Sequence, residues 1–217
     1  MTGLIIGSIV PDFEYFIRMK VESIYSHTIM GMLWFDLPLG LILAFLYHNI
    51  IRNPLIDNLP FPLKQRVHHF KKFEWNNYFQ KNFIVVFLSL LIGISSHIVW
   101  DSFTHKTGHF VILMPTLRHI ISLFNFQVPF YKVLQHLSSL IGGIIVLFCI
   151  WKLPVIKSVP RGKIHKYWSV VFLVALSTLL VKSIISQGIN FYEMSIICIT
   201  GAMIGVLIAP IILKKEL

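Results

Sequence analysis

The stretch Ser95-Ser96-His97-Ile98-Val99-Trp100-Asp101-Ser102-Phe103-Thr104-His105 closes a long apolar run that begins near Phe83. His97, Asp101 and His105 are spaced four apart, so on a helix they fall along one face. An imidazole and a carboxylate one turn apart can give one nitrogen and one oxygen to the same ion. With no thiolate among the donors, that set suits a divalent metal, zinc first, with manganese or iron as alternatives. Ionisable groups at the end of a membrane-length segment are costly and are read first as a functional site. Three readings follow for the pair: a metal site, a hydrogen-bonded polar network within a bundle, or part of an ion or proton path. Asp12, preceded by Pro11, and His27 are the candidate ligands from a second element. His136, which opens a later apolar span beside Gln135, is a further one. His105 lies past the expected helix end and could complete the site or serve as a base. Glu14 is the other candidate base, although Glu14 and Asp36 could equally be charges that favour a helix N-terminus. Two ions about 3.5–4 Å apart would clamp a phosphoester. Ser26, Ser95, Ser96, Ser102 and Thr104 could orient the ligands from behind.

The elements that must position these groups are membrane-spanning. The chain has 217 residues, of which 56% are hydrophobic and 13% charged, with a mean hydropathy of +0.76. A soluble domain carries about 25% charged residues. That deficit and the repeated apolar runs of bilayer length define an all-α, polytopic membrane bundle. Five spans are expected, over about Leu33–Ile51, Phe83–Phe103, Leu137–Trp151, Trp168–Gln187 and Met194–Leu213, each near the ~20 residues a tilted helix needs. The third is short, and the alternative is a helix that begins earlier, near Tyr131. Pro11 breaks the apolar Met1–Val10 segment, and residues 13–25 read as an N-terminal interfacial or partly buried helix with Arg18, Lys20 and Glu22 among aromatics. No linker interrupts the chain, so residues 1–217 form one integral membrane domain. Its candidate site residues all fall in 1–150, and spans four and five, over 168–213, are poor in motifs. Residues 116–127 are amphipathic enough to lie on the membrane surface as a helix or connector. Cys149 and Cys198 both lie in apolar runs and read as small packing residues rather than as ligands or a disulfide.

Charge distribution sets the expected orientation. Arg52, Lys64, Arg66, Lys71, Lys72 and Lys81 lie between spans one and two. Lys152, Lys157, Arg161, Lys163 and Lys166 lie between spans three and four, and Lys214 and Lys215 follow span five. These regions alternate correctly for one cytoplasmic side and carry the whole formal charge of +10. Nucleic acid is not needed to explain the basicity; membrane lipid is the expected partner. The protein is then a multi-pass membrane protein with a cytoplasmic C-terminus. Asp12, Glu14, His27, Asp36, His97, Asp101, His105, His109, His119 and His136 all fall on the outer side. His109 and His119 read as interfacial loop residues, and His48 as interfacial at the inner end of span one. Val67-His68-His69-Phe70-Lys71-Lys72 reads as a solvated or lipid-facing loop.

Gly7-Ser8-Ile9-Val10-Pro11-Asp12-Phe13-Glu14-Tyr15-Phe16, Ser26-His27-Thr28, Phe35-Asp36-Leu37-Pro38, Ser96–His105 and Tyr131-Lys132-Val133-Leu134-Gln135-His136 resemble the bacterial DUF4184 family, over most of residues 1–150. More loosely, the order Pro-Asp, Ser-His, His-x-x-x-Asp is similar to that of the YdjM-like (DUF457) membrane-bound metal-dependent hydrolases, and through them to the zinc-dependent phospholipase C and P1 nuclease group. That likeness implies that Asp12, His27, His97 and Asp101 are metal ligands and that the activity is hydrolysis, with a phosphoester or lipid-linked substrate suited to the location. A later His-x-x-x-Glu pair is absent, since Leu140 follows His136 by four residues. Relatives also carry an upstream segment with its own His, so the resemblance leaves open a ligand ahead of Met1. Two readings without catalysis stand beside the hydrolase: a structural or partner-binding polar or metal cluster, and an ion or proton translocator. The few polar residues of spans four and five argue against the last.

Overall fold

A computed structural model describes the chain except residues 124–125, 161, 187 and 214–217, with only the backbone described at Leu123. The described residues are almost wholly helical, with five helices long and apolar enough to cross a membrane. The basic residues Arg161, Lys214 and Lys215 lie outside the described set. The residues fall into two compact units, one of 1–94 with 154–217 and one of 95–153.

The first unit opens with α1 (Thr2–Gly7), a single 3-10 turn at Val10–Asp12 where Pro11 removes a backbone donor, and α2 (Phe13–Arg18). The expected interfacial helix over 13–25 therefore stops at Arg18, where Met19 turns left-handed (φ 51°) and ends it. The first long helix, α3 (Ile29–Asp57), is longer at both ends than its hydrophobic run; its start is set by Thr28, whose hydroxyl accepts from Gly31 N–H at 2.9 Å. It widens twice to π geometry, at Met32–Asp36 and Tyr47–Ile51. Each widening precedes a proline, Pro38 and Pro54, whose missing N–H leaves the carbonyl four residues back, Trp34 or Ile50, without its usual donor.

After α4 (Phe61–Val67) and a 3-10 turn at His68–Lys72 comes α5 (Trp75–Thr104), bent at Asn82 (φ −134°, ψ 30°). Ile6, Ala44, Trp75, Val86 and Leu90 form the core between α1, α3 and α5. At the crossing of α1 and α5 two glycines meet: a Cβ on Gly7 would strike Leu90 O, and one on Gly93 would strike Leu4 O. Backbones this close are the small-residue packing that replaces the hydrophobic drive inside a bilayer. The same device joins α9 (Ile164–Ile185) to α10 (Phe191–Leu213), where Gly201 packs on Ala175 and Gly205 on Val171. The spacing Gly201-x-x-x-Gly205 is thus a packing motif in a span expected to carry none. The basic loop at 67–72 is partly buried rather than simply solvated. Buried Lys64 donates to Asp57 O (2.8 Å) and Pro160 O (2.6 Å), and Lys71 Nζ meets both oxygens of Asp57 at 2.6–2.7 Å.

The second unit begins in the last turns of α5. It continues through α6 (His109–Leu113), α7 (Pro115–Arg118), the antiparallel pair β1 (Ile120–Leu123) and β2 (Phe126–Pro129), and α8 (Phe130–Lys152). Residues 116–127 are therefore not a surface helix. Pro115 starts a single turn, and the β-branched Ile120, Ile121 and Val128 then pair as a hairpin. The third span follows the longer alternative, with α8 starting at Phe130. Val111, Leu117 and Tyr131 form this unit's core. Cys149 and Cys198 are free and exposed along their helices.

Candidate metal centre

The first unit carries an aspartate–histidine pair supported by one buried carboxylate. Glu14 is only 1% exposed, and every oxygen lone pair is engaged. Oε1 accepts from Arg18 Nε (2.8 Å), Ile24 N (2.9 Å) and Tyr25 N (3.2 Å); Oε2 accepts from Ser23 Oγ (2.9 Å), Tyr25 N (2.9 Å) and Ser26 N (2.8 Å). Burial by itself pushes this carboxyl up. The Ile24 and Ser26 amides, with Arg18 and Ser23, overturn that and hold it at about 2. A carboxylate so placed is a weak base, and its observed part is to wrap residues 23–26 into a tight turn. Ser26 Oγ donates to Asp36 Oδ1 at 2.8 Å, and both residues are buried, so the same turn is pinned to the π segment of α3. Neither acid caps a helix with its side chain.

The turn delivers His27 in a left-handed conformation, φ 63°, unusual for a residue with a Cβ. Such strain persists only where its surroundings impose it, and it gathers at functional positions. His27 Nδ1 lies 3.2 Å from Ser23 Oγ, and Nε2 lies 3.8 Å from Asp12 Oδ1. If the Ser23 hydroxyl proton goes to Glu14, Ser23 Oγ accepts from His27 Nδ1–H. In the neutral imidazole the lone pair then sits on Nε2, turned toward a carboxylate oxygen. Two acceptors facing each other are reconciled by a cation between them, a proton or a metal ion.

The second unit carries a cluster of its own. His97 Nε2 is 3.3 Å from Asp101 Oδ2, and His105 Nδ1 is 3.4 Å from Asp101 Oδ1, so each oxygen of Asp101 faces an imidazole nitrogen. Two ligands about 2.0–2.1 Å from a tetrahedral zinc are themselves about 3.3 Å apart, which both the spacing and the donor types of the His97–Asp101 pair match. The supporting hydroxyls behave unequally. Ser102 and Thr104 bond back to their own helix at Val99 O and Trp100 O, whereas Ser26 is engaged between elements. His136 sits on the exposed side of α8 and belongs to no group of three or more His, Cys, Asp or Glu donors among the described residues. His109 and His119 are exposed at α6 and in the loop after α7.

Two polar contacts are not evident in the sequence, and only the first belongs to these clusters. Ser23 stands in a loop whose course Glu14 and Asp36 define. His48, read as interfacial, is buried: it stacks on Trp75 (centroids 4.6 Å apart, planes at 6°) and lies between Thr2 Oγ1 (3.1 Å) and Arg52 Nη1 (3.0 Å).

Fold and side chains together define a polytopic membrane protein with an aspartate–histidine cluster in each unit. Residues 1–211 match the family described as Domain of unknown function (DUF4184), and the chain belongs to that family. No curated protein and no solved structure matches it.

Proposed function

We propose that Asp12, His27, His97 and Asp101 together hold one divalent metal ion, zinc first, and that the protein is a membrane-embedded metal-dependent hydrolase of a phosphoester or lipid-linked substrate. The observation that carries the reading is the His27–Asp12 pair, a strained histidine whose ring is fixed from behind by Ser23 and Glu14 with Nε2 turned to a carboxylate. That is how a metal-binding histidine is commonly supported. The order Pro-Asp, Ser-His and His-x-x-x-Asp, which resembles that of membrane-bound metal-dependent hydrolases, supports assigning these four residues to one ion. The four side chains form a donor set of nitrogen and oxygen only.

A divalent ion held there would acidify a bound water and polarise a phosphoryl oxygen. His105 is the base in this reading. Its ring is 43% exposed, so it reaches solvent, and Asp101 orients it through Nδ1. Glu14 acts by positioning His27. The basic loops favour a bacterial inner-membrane orientation with the C-terminus in the cytoplasm and the site at the outer face, where lipid-linked substrates present their head groups. A metal or partner-binding cluster without catalysis is the second reading, favoured by the modest exposure of His97 and Asp101 (12% and 18%).

Metal analysis of the purified protein beside a His97→Ala, Asp101→Ala double variant tests the site; equal metal content in both would refute it. Hydrolysis of phosphoester substrates that is abolished in His105→Ala with metal retained supports catalysis. Metal bound with no turnover of any phosphoester leaves the non-catalytic cluster. A cysteine placed at Lys106 should react with an impermeant reagent from outside, and labelling from inside alone would reverse the orientation.

A further inference from the structure

The first unit holds a cavity of about 1,370 Å³ that the metal reading does not use. It exceeds the roughly 300–1,000 Å³ of ordinary small-molecule pockets. Its walls are apolar along Ile5, Ile9, Phe13, Phe16, Met203 and Leu207, and at one end it meets Arg52.

Arg52 is an unusual residue to find there. It is 6% exposed, and its hydrogen-bond partners are all neutral: Phe73 O (2.7 Å), Lys71 O (3.2 Å), Asn53 Oδ1 (3.0 Å) and His48 Nδ1 (3.0 Å). Because a guanidinium only donates, His48 Nδ1 accepts, and Nε2–H donates to Thr2; the ring is neutral. The nearby carboxylate of Asp57 is taken by Lys71 and Lys64. Among the described residues Arg52 therefore has no acid, and a buried cation without a counter-charge is costly. Its bonds leave one Nη2–H and the whole positive charge for an anionic group, and the cavity beside it matches hydrocarbon.

We infer that this cavity binds an anionic membrane lipid, with acyl chains along α1, α2 and α10 and the charged head group toward Arg52. The inference is independent of the metal site, whose ligands do not line the cavity.

The test uses the whole protein in nanodiscs containing equal amounts of phosphatidylglycerol and phosphatidylcholine, followed by gentle extraction and native mass spectrometry. One phosphatidylglycerol should be retained about tenfold or more over phosphatidylcholine, the worth of a charge-assisted hydrogen bond. Arg52→Gln should bring the two lipids to near parity. Ile9→Trp, a bulky residue on the cavity wall at a position already half-exposed, should reduce retention of both; this variant decides the matter if Arg52→Gln does not fold. Equal retention of the two lipids by the wild type, loss of both, undiminished retention in Ile9→Trp, or a lipid-free dimer would each overturn the inference.

Discussion

Replacing Glu14 by glutamine changes one atom and should open the His27 loop. Each oxygen of Glu14 accepts at least two backbone N–H groups, from Ile24 and Tyr25 at Oε1 and from Tyr25 and Ser26 at Oε2. Whichever oxygen becomes an NH2, it points a donor at donors. The carboxyl is lowered from 4.5 to about 2, a difference of roughly 2.5 pH units, or about 3 kcal/mol at 1.36 kcal/mol per unit. With 1% of the residue exposed, solvent screening removes little of that. Because the folded pKa lies below the unfolded one, the contribution is complete above about 4.5 and disappears as pH falls toward 2.

The assay is hydrogen–deuterium exchange of residues 23–28 in detergent micelles. In the wild type the Ile24, Tyr25 and Ser26 amides should be protected at neutral pH and lose protection between about pH 4.5 and 2. In Glu14→Gln they should exchange roughly a hundredfold faster at neutral pH, with no acid transition of their own, the factor that about 3 kcal/mol implies. Unchanged protection in the variant would refute the claim that this carboxylate builds the turn. Rapid exchange with undiminished metal content would separate the turn from the metal site.

Ser23→Ala should leave the melting temperature within a degree or two while weakening metal affinity about 10–100-fold, since it frees the ring of His27; chelator competition measures this, and unaltered affinity would remove Ser23 from the site. Gly205→Leu should destabilise the α9–α10 hairpin by about 2 kcal/mol or more, because its Cβ would lie 2.8 Å from Val171 Cα. Gly143→Leu, with nothing within 4 Å of its Cβ, should be neutral by the same unfolding assay, and equal effects would count against helix packing as the cause. Lys71→Ala should change stability by about 1 kcal/mol or less, its pair with Asp57 being a quarter to a third exposed. Lys64→Ala should lose more, since it leaves Asp57 O and Pro160 O without their buried donor; denaturant titration ranks the two, and the reverse order would contradict the burial argument.

The long helices were legible because bilayer length is a crude and sufficient signal. Their ends were not, because ends depend on atoms outside the apolar run. Thr28 starts α3 by capping Gly31, and Pro38 and Pro54 widen it instead of breaking it. The hairpin at 120–129 was hidden by composition, since the same isoleucines and phenylalanines would suit the apolar face of a surface helix. Gly201 and Gly205 carry no functional group, and a glycine in an apolar run does not by itself show which helix packs against it. Within the clusters, the four-residue spacing of His97, Asp101 and His105 predicted that they share a helix face, and Asp101 indeed faces both imidazoles. The pairing of Asp12 with His27 was read from residue type, but its support by Ser23 and Glu14 depends on a turn that no periodicity announces.

Burial then separates carboxylates that residue type alone left equal. Glu14 and Asp36 are 1% and 0% exposed, and each holds the loop that bears His27, through backbone amides in one case and Ser26 in the other. Asp12 and Asp101 have side chains 45% and 18% exposed, and each faces an imidazole nitrogen. Glu14, buried and saturated largely by backbone donors, gains nothing by exchanging them for an ion, whereas Asp12 and Asp101 already face a second nitrogen ligand. The same argument orders the expected losses. Asp12→Asn and Asp101→Asn should reduce metal binding with the loop intact, whereas Asp36→Ala, which removes the acceptor of the Ser26 hydroxyl, should first loosen residues 23–28, which exchange measurements on the three variants would distinguish.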